Sequence, residues 1–270
     1  MTKEDINLGA VQETLLIPLY SRSLEAKNEH PRFDAQYDVE LVNRINYDFS
    51  KFNSGKWSIE GCIVRTIILD REVNKYLKDH PDCVVLNFGC GLCTRTKRVD
   101  IKNSTWYNID LPDAIELRNK LIDKQDHCYN ISKSMLDETW ADDVKVNPGQ
   151  DVLVIVEGVF MYLVEDEIRT FINILKKNYK KVFALFEINH TMFINNGKYH
   201  DTVKNTDASF KWGIKHGKEF EKITSGIKYF EEWNYFDLYE NQGLFFNVFS
   251  KVGFIKNICN KIATYEITSE

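Results

Sequence analysis

Cys83-Val84-Val85-Leu86-Asn87-Phe88-Gly89-Cys90-Gly91-Leu92-Cys93-Thr94-Arg95 is the stretch whose reading decides the fold. Its first half is a short apolar run stopped by glycine, which suits a parallel strand buried on both faces. Gly89 and Gly91 let the backbone turn sharply and approach a ligand closely, and a helix is expected to follow. Asp110 ends the next predicted strand, Thr105 to Ile109. A carboxylate there can accept hydrogen bonds from both ribose hydroxyls of a nucleoside, at the carboxyl ends of the strands where open α/β sheets bind ligands. The third glycine of a G-x-G-x-x-G fingerprint is replaced by Thr94. That glycine brings the helix close to the strand and its N-terminus onto a pyrophosphate, so its loss favours a nucleoside ligand without phosphate over a dinucleotide. Two competing readings stand beside this one: a plain tight turn for the glycines, and a cap on the helix starting at Pro112 for Asp110.

Outward from this stretch, strands and helices alternate. A helix is predicted from Pro112 to Ile122, with proline in its first turn, then a strand from Asp126 to Ile131 and the clearest strand of the chain, Val152 to Val156. A helix from about Val164 to Asn178 and a strand from Val182 to Phe186 follow. The alternation predicts a doubly wound, mostly parallel α/β sheet with right-handed crossovers. Upstream, helical periodicity marks residues 11 to 26, 35 to 47 and Ser58 to Leu77, with Ser58 as N-cap and His80-Pro81 as the stop. Downstream of Glu187, residues 188 to 225 read as a polar insertion with helices. Ile227 to Phe236 and Lys261 to Ile267 read as strands around a helix from Glu240 to Val252. The expected organisation is one domain over residues 1–270: a helical N-terminal cap (1–80), an α/β core (81–187), and a C-terminal insertion or lid with the final strands (188–270). The aromatic segment Phe210, Trp212, Phe220, Tyr229, Phe230, Trp233, Tyr235 and Phe236 reads either as a lid over an apolar ligand or as ordinary core.

The 270 residues are 43% hydrophobic and 28% charged, the balance of a globular chain with a sizeable core. The net charge of −5 argues against a nucleic-acid partner, and Lys176-Lys177 and Lys180-Lys181 read as a solvated helix end. With no apolar run of roughly 18 residues and no signal-peptide pattern, a cytoplasmic protein without a membrane partner is expected. The six cysteines are expected to be reduced and mostly buried. Cys90 and Cys93 form a C-x-x-C pair, but no second ligand pair accompanies it, so no metal site is expected. Nothing in the pattern specifies an oligomeric state.

Asn87 to Arg95 resembles the G-C-G-L-D-T-R signature of the leucine carboxyl methyltransferase family, in its bacterial branch of the tetracenomycin polyketide O-methyltransferase type. Four further segments resemble that branch in the same order. They are Thr14 to Arg22 (its N-terminal helix), Gly61 to Thr66 (G-x-x-x-R-T), Trp106 to Pro112 (the D-L-P strand end) and Glu157 to Leu163 (E-G-x-x-M-Y-L). The resemblance spans roughly residues 11 to 187. Cys93 replaces the aspartate of the signature, and Asn87 stands where many methyltransferases carry an acid near the methionine part of the cofactor.

The resemblance implies a class I methyltransferase (Rossmann-like) fold and S-adenosyl-L-methionine as cofactor. It also implies methylation of a carboxyl or hydroxyl oxygen on a small-molecule acceptor, of which a polyketide is one option. It implies a cofactor site built from the Gly89-Cys90-Gly91 loop, Asp110 and Leu111 at the ribose, Ser134 and Met135 at the adenine, and Glu157 at a strand end. Arg65 would hold the cofactor's carboxylate, with Arg22 a further candidate. The competing reading of Arg65 is a salt bridge with Glu60 or Asp70. Methyl transfer asks the protein mainly for positioning and water exclusion. A carboxylate acceptor needs no base at neutral pH, whereas a hydroxyl is helped by one. His190 and His200 lie where an acceptor could bind but read equally as surface histidines, so no catalytic base is assigned. Three alternatives stay open at this point: an NAD-linked oxidoreductase, a protein C-terminal carboxyl methyltransferase, and a non-catalytic module that has kept the fold.

Overall fold

The computed structural model describes residues 3–6, 13–194, 210–238 and 259–269. Seven strands form one sheet: β1 (Val84–Phe88), β2 (Thr105–Asp110), β3 (Cys128–Ser132), β4 (Val152–Val156), β5 (Lys181–Ile188), β6 (Ile227–Asn234) and β7 (Lys261–Thr268). Their spatial order is β3-β2-β1-β4-β5-β7-β6. β1 to β5 are parallel, and β7 runs antiparallel between β5 and β6. This is the class I methyltransferase fold, a doubly wound and mostly parallel sheet.

Side-chain alternation builds both faces. Val84, Leu86 and Phe88 point to one side, where they meet Ile168, Phe171, Ile172 and Leu175 of α5 (Glu165–Asn178). Val85, Leu153, Ile155 and Leu185 point to the other, against Val64, Ile68, Leu69, Val73 and Leu77 of α3 (Lys56–Asp79). Period-2 alternation across apolar strands requires cover on both faces, and two helices supply it. The charge pattern of α5 favours the helix at both ends, with Glu165, Asp166 and Glu167 in its first turn and Lys176 and Lys177 in its last. The Glu167 carboxylate accepts the Val164 N–H at 2.8 Å. A third cluster joins α1 (Leu16–Glu25) and α2 (Gln36–Arg44) to α4 (Pro112–Leu121) through Leu16, Leu19, Leu41, Leu117 and Leu121. Strand order reverses between β1 and β4, which opens a crevice at their carboxyl ends. The N-terminal helices lie over it.

Several expected elements differ. No regular helix follows the glycine loop: Cys93 N–H donates to the Cys90 carbonyl, and Arg95–Lys97 forms only a 3-10 turn. The side chains of Thr94, Arg95 and Arg98 bond instead to acids elsewhere in the chain, and the backbone follows those bonds. Ser58 does not cap α3. The helix starts at Lys56 after Gly55, and Ser58 lies in its first turn. α1 starts at Leu16, and Val11 lies outside the described residues. α2 stops at Arg44 because Ile45–Asn46 pair in parallel with Glu4–Asp5. Between 188 and 225 the described residues hold 3-10 turns at Thr191–Phe193 and Gly217–Lys222. The expected helix from Glu240 to Val252 lies outside the described residues. No helix among the described residues is long and apolar enough to cross a membrane.

Candidate functional site

A cavity of about 550 Å³ opens at the crevice between β1 and β4, and all ten residues singled out in the sequence line it: Arg22, Arg65, Gly89, Cys90, Gly91, Asp110, Leu111, Ser134, Met135 and Glu157. The glycine loop forms its floor. Gly89 has φ +62° and Gly91 φ +42°, a region that side-chain-bearing residues enter only at a cost. A Cβ on Gly89 would also lie 2.1 Å from Val159 Cγ2. Gly89→Ala is therefore expected to destabilise the protein by more than the roughly 1–2 kcal/mol of the backbone term alone. Gly149→Ala isolates that term, since Gly149 has φ +82° and no atom within 4 Å of an added Cβ. Urea unfolding of both variants reads the difference, and equal losses would mean that Val159 yields freely.

Asp110 fastens the loop. One carboxylate oxygen accepts the Gly91 N–H at 2.7 Å and the other accepts the Leu111 N–H at 2.8 Å. α4 begins after Leu111 without a side-chain cap, so Asp110 is not its N-cap. Burial pushes the Asp110 carboxyl above its usual range, with the two N–H donors opposing. On the far side of the loop, Arg118 donates from Nη1 to the Gly91 and Cys93 carbonyls at 3.0 and 2.8 Å. Its Nε donates to Asn130 Oδ1 at 3.1 Å. Asn130 closes a ladder of amides in register across three strands. Asn87 donates to Asn108, and Asn108 to Asn130, both at 3.2 Å. Asn87, at the position where many methyltransferases carry an acid, is thus the buried end of a ladder of paired amides that runs out to the surface at Asn130.

Behind the loop lies a chain of alternating charges. Glu187 Oε2 meets Arg65 Nη1 at 2.8 Å, Arg65 Nε lies 2.8 Å from Glu157 Oε1, and Arg95 Nη2 meets Glu157 Oε2 at 2.7 Å. Asp70 joins Arg95 and Arg98 at 2.8 and 2.6 Å. Asp38 takes Arg22 Nε at 2.7 Å, and Arg22 Nη2 donates to the Leu92 carbonyl at 3.0 Å. Burial opposes ionisation of Glu157, but the Arg65 and Arg95 guanidiniums outweigh it and hold its carboxyl well below the usual range. Arg65 therefore pairs with Glu157 and Glu187, not with Glu60 or Asp70. Glu60 pairs with Arg32. Although Arg65 Nε is close to Glu157, its N–H points off the line and makes no hydrogen bond.

The rest of the wall is mostly apolar. Met135 and Leu136 lie beside Ser134, whose hydroxyl accepts the Leu136 N–H at 3.2 Å. Burial pushes the Cys90 thiol up. Cys93 Sγ accepts from Arg95 Nη1 at 3.6 Å, a weak substitute for the carboxylate of the signature. The aromatic segment divides. Phe210, Tyr235 and Phe236 line the cavity, Trp212 and Phe220 are core, and Phe230 is exposed. His190 lies outside the cavity wall, with Nδ1 accepting the Met192 N–H, and burial pushes its pKa down. His200 lies outside the described residues. Sequence reasoning missed Arg95, Arg98, Arg118, Asp38, Asp70 and Glu187 as parts of the site. Only the Arg95-x-x-Arg98 spacing past the loop offered a local signal.

The loop presents no regular helix N-terminus to a pyrophosphate, which removes the physical basis of the dinucleotide reading. Comparison with known proteins agrees. The family model of leucine carboxyl methyltransferases matches residues 18–176. The chain is 32% identical over 235 residues to the tetracenomycin polyketide synthesis O-methyltransferase TcmP of Streptomyces glaucescens, covering 87% of this chain and 86% of that protein. It is 24% identical over 251 residues to the S-adenosyl-L-methionine-dependent methyltransferase dpfgK of Gibberella zeae, covering 86% and 84%. Two solved structures share the fold at a TM-score of 0.61 and 12% identity. One is a Thermobifida fusca YX protein described as a methyltransferase, covering 94% of this chain and 95% of that one. The other is a DUF574 family protein from Streptomyces avermitilis, covering 94% and 97%. The methyl donor of such enzymes, S-adenosyl-L-methionine, is a nucleoside without phosphate, as the Thr94 substitution anticipates. The chain belongs to the leucine carboxyl methyltransferase family and is an S-adenosyl-L-methionine-dependent methyltransferase.

Proposed function

We propose that this enzyme methylates an oxygen of a small molecule, with cofactor and acceptor sharing the cavity at the β1/β4 crevice. The observation that carries the reading is Asp110. It ends β2 at the cavity edge with each carboxylate oxygen bonded to a loop N–H, and each oxygen has a further lone pair for a ribose hydroxyl. The residues fit S-adenosyl-L-methionine. Leu111, Met135 and Ser134 flank a slot suited to adenine, Cys90 and the two glycines give it backbone to lie against, and Arg65 lines the wall with its charge shared between Glu157 and Glu187. When bound, the cofactor supplies an electrophilic sulfonium methyl.

The chain's own groups position and exclude. Glu157 holds Arg65 and Arg95 in place, and Arg22 acts indirectly by tying the Leu92 carbonyl to Asp38. The apolar wall keeps water from the reacting atoms. Six free thiols suit a reducing, cytoplasmic setting. The relative TcmP, named for tetracenomycin polyketide synthesis, makes a polyketide-like acceptor the first class to screen. The test is calorimetric titration with S-adenosylhomocysteine and, separately, NAD, followed by transfer of labelled methyl to phenolic and carboxylic small molecules and to a peptide C-terminus. Micromolar binding of the homocysteine nucleoside alone, with label on a small-molecule oxygen, is expected. Label only on the peptide would move the enzyme to protein methylation.

A further inference from the structure

Only a 3-10 turn at Arg95–Lys97 follows the glycine loop. A regular helix there would fix the far arm of the loop, Leu92 to Thr94, through its own backbone hydrogen bonds. Asp110 and Arg118 hold the near arm at Gly91, and Arg118 also reaches the Cys93 carbonyl. Leu92 and Thr94 are held from the N-terminal helices instead. Arg22 Nη2 donates to the Leu92 carbonyl at 3.0 Å, and Arg22 Nε donates to Asp38 Oδ1 at 2.7 Å. The Thr94 hydroxyl donates to the same carboxylate, 2.9 Å from Oδ2 and 3.0 Å from Oδ1, and accepts from Arg98 Nη1 at 2.5 Å. Both paths from the far arm therefore meet at Asp38.

Asp38 belongs to a different layer of the molecule from the sheet. It lies in the first turn of α2, where a negative charge suits the helix dipole. It is 0% exposed and Thr94 is 1% exposed, and neither lines the cavity. A buried carboxylate is costly unless its partners compensate it. Arg22 and Thr94 do so by hydrogen bonds, and Arg98 Nη1 lies 3.7 Å from Oδ2. Thr94 stands at the third glycine position of a dinucleotide fingerprint. A glycine has no side chain for such a bond, so the departure from that fingerprint is also what anchors the far arm. Cofactor-binding backbone must be held closely in place to give its full affinity, because a small misplacement weakens every contact made from it.

We infer that Asp38 is a positioning residue for the cofactor, setting the far arm of the glycine loop through Thr94 and Arg22 without lining the cavity. This rests on the reading of the cavity as the cofactor site. The test is calorimetric titration of S-adenosylhomocysteine into wild type and four variants, with thermal unfolding measured alongside. Asp38→Asn keeps the shape and removes the charge, and is expected to weaken binding roughly 10-fold, the scale of one charge-assisted hydrogen bond. Thr94→Val replaces the hydroxyl by a methyl and is expected to weaken it roughly fivefold, whereas Thr94→Ser restores the hydroxyl and is expected to bind within about twofold of wild type. Glu25→Gln is the control for stability alone. Glu25 belongs to α1, is 1% exposed and bonds to Asn28 and Arg32. Its loss is expected to lower the unfolding temperature and leave binding as in wild type. The inference is overturned if Asp38→Asn or Thr94→Val binds as tightly as wild type, or if Thr94→Ser binds as weakly as Thr94→Val. It is equally overturned if Glu25→Gln weakens binding as much as the Asp38 or Thr94 substitution, which would make the effect one of general stability. If Asp38→Asn does not fold, the two Thr94 variants and Glu25→Gln decide. Failure of wild type to bind S-adenosylhomocysteine would instead strike the proposed function itself, so the two failures are told apart.

Discussion

Arg95→Ala is expected to lower the unfolding free energy by about 3–5 kcal/mol, the usual cost of removing one partner from a buried ion pair. The Arg95 side chain is 1% exposed and bridges Asp70 to Glu157. Its loss leaves Glu157 on Arg65 alone and Asp70 on Arg98 alone, both largely buried. For a protein of ordinary stability that is a large share of about 5–15 kcal/mol. Chemical denaturation at neutral pH measures it, and a loss under 1 kcal/mol would show that water reaches the network. The pH dependence has a definite sign. Glu157 titrates lower in the folded state than its unfolded value near 4.3, so its ion pairs contribute stability above that value. The contribution fades as pH falls below it toward the folded value. The difference between wild type and Arg95→Ala is therefore expected to shrink in acid.

Asp110→Ala is expected to weaken S-adenosylhomocysteine binding by roughly 10- to 100-fold, corresponding to charge-assisted hydrogen bonds of about 1.5–3 kcal/mol. Two effects act together: the ribose loses its acceptors, and the Gly91 N–H loses the partner that holds the loop. Asp110→Asn should also bind weakly, because its NH₂ would face either the Gly91 or the Leu111 N–H, donor against donor. Calorimetry on variants whose thermal unfolding is first shown to be cooperative separates lost binding from lost folding. An unchanged dissociation constant would remove Asp110 from the cofactor site.

Where the sequence read well, the signal was local. Val152-Leu153-Val154-Ile155-Val156 matched β4 to the residue because a continuous apolar run between polar segments has few other solutions. Leu111-Pro112 set the start of α4, since proline fixes its own φ and needs no hydrogen-bond partner at that position. The helix expected after Gly91 failed for the converse reason. Its backbone preference is weak, and Thr94, Arg95 and Arg98 gain more by reaching Asp38, Asp70 and Glu157 than a helical turn there would return.

The same division holds for the site. The order of strand, glycine turn, strand and acid determined a nucleoside-binding parallel sheet, and five motifs in order determined the family. All of these are properties of short segments and their succession. Which charge each arginine meets was decided only in three dimensions. Arg65 and Glu187 stand 122 positions apart, and Arg22 and the Leu92 carbonyl 70 apart. Tyr235 and Asn260 become neighbours only because β6 and β7 are antiparallel. No periodicity encodes such contacts. They exist because a sheet covered on both faces buries charged and polar groups whose only way to recover lost hydration is to find one another.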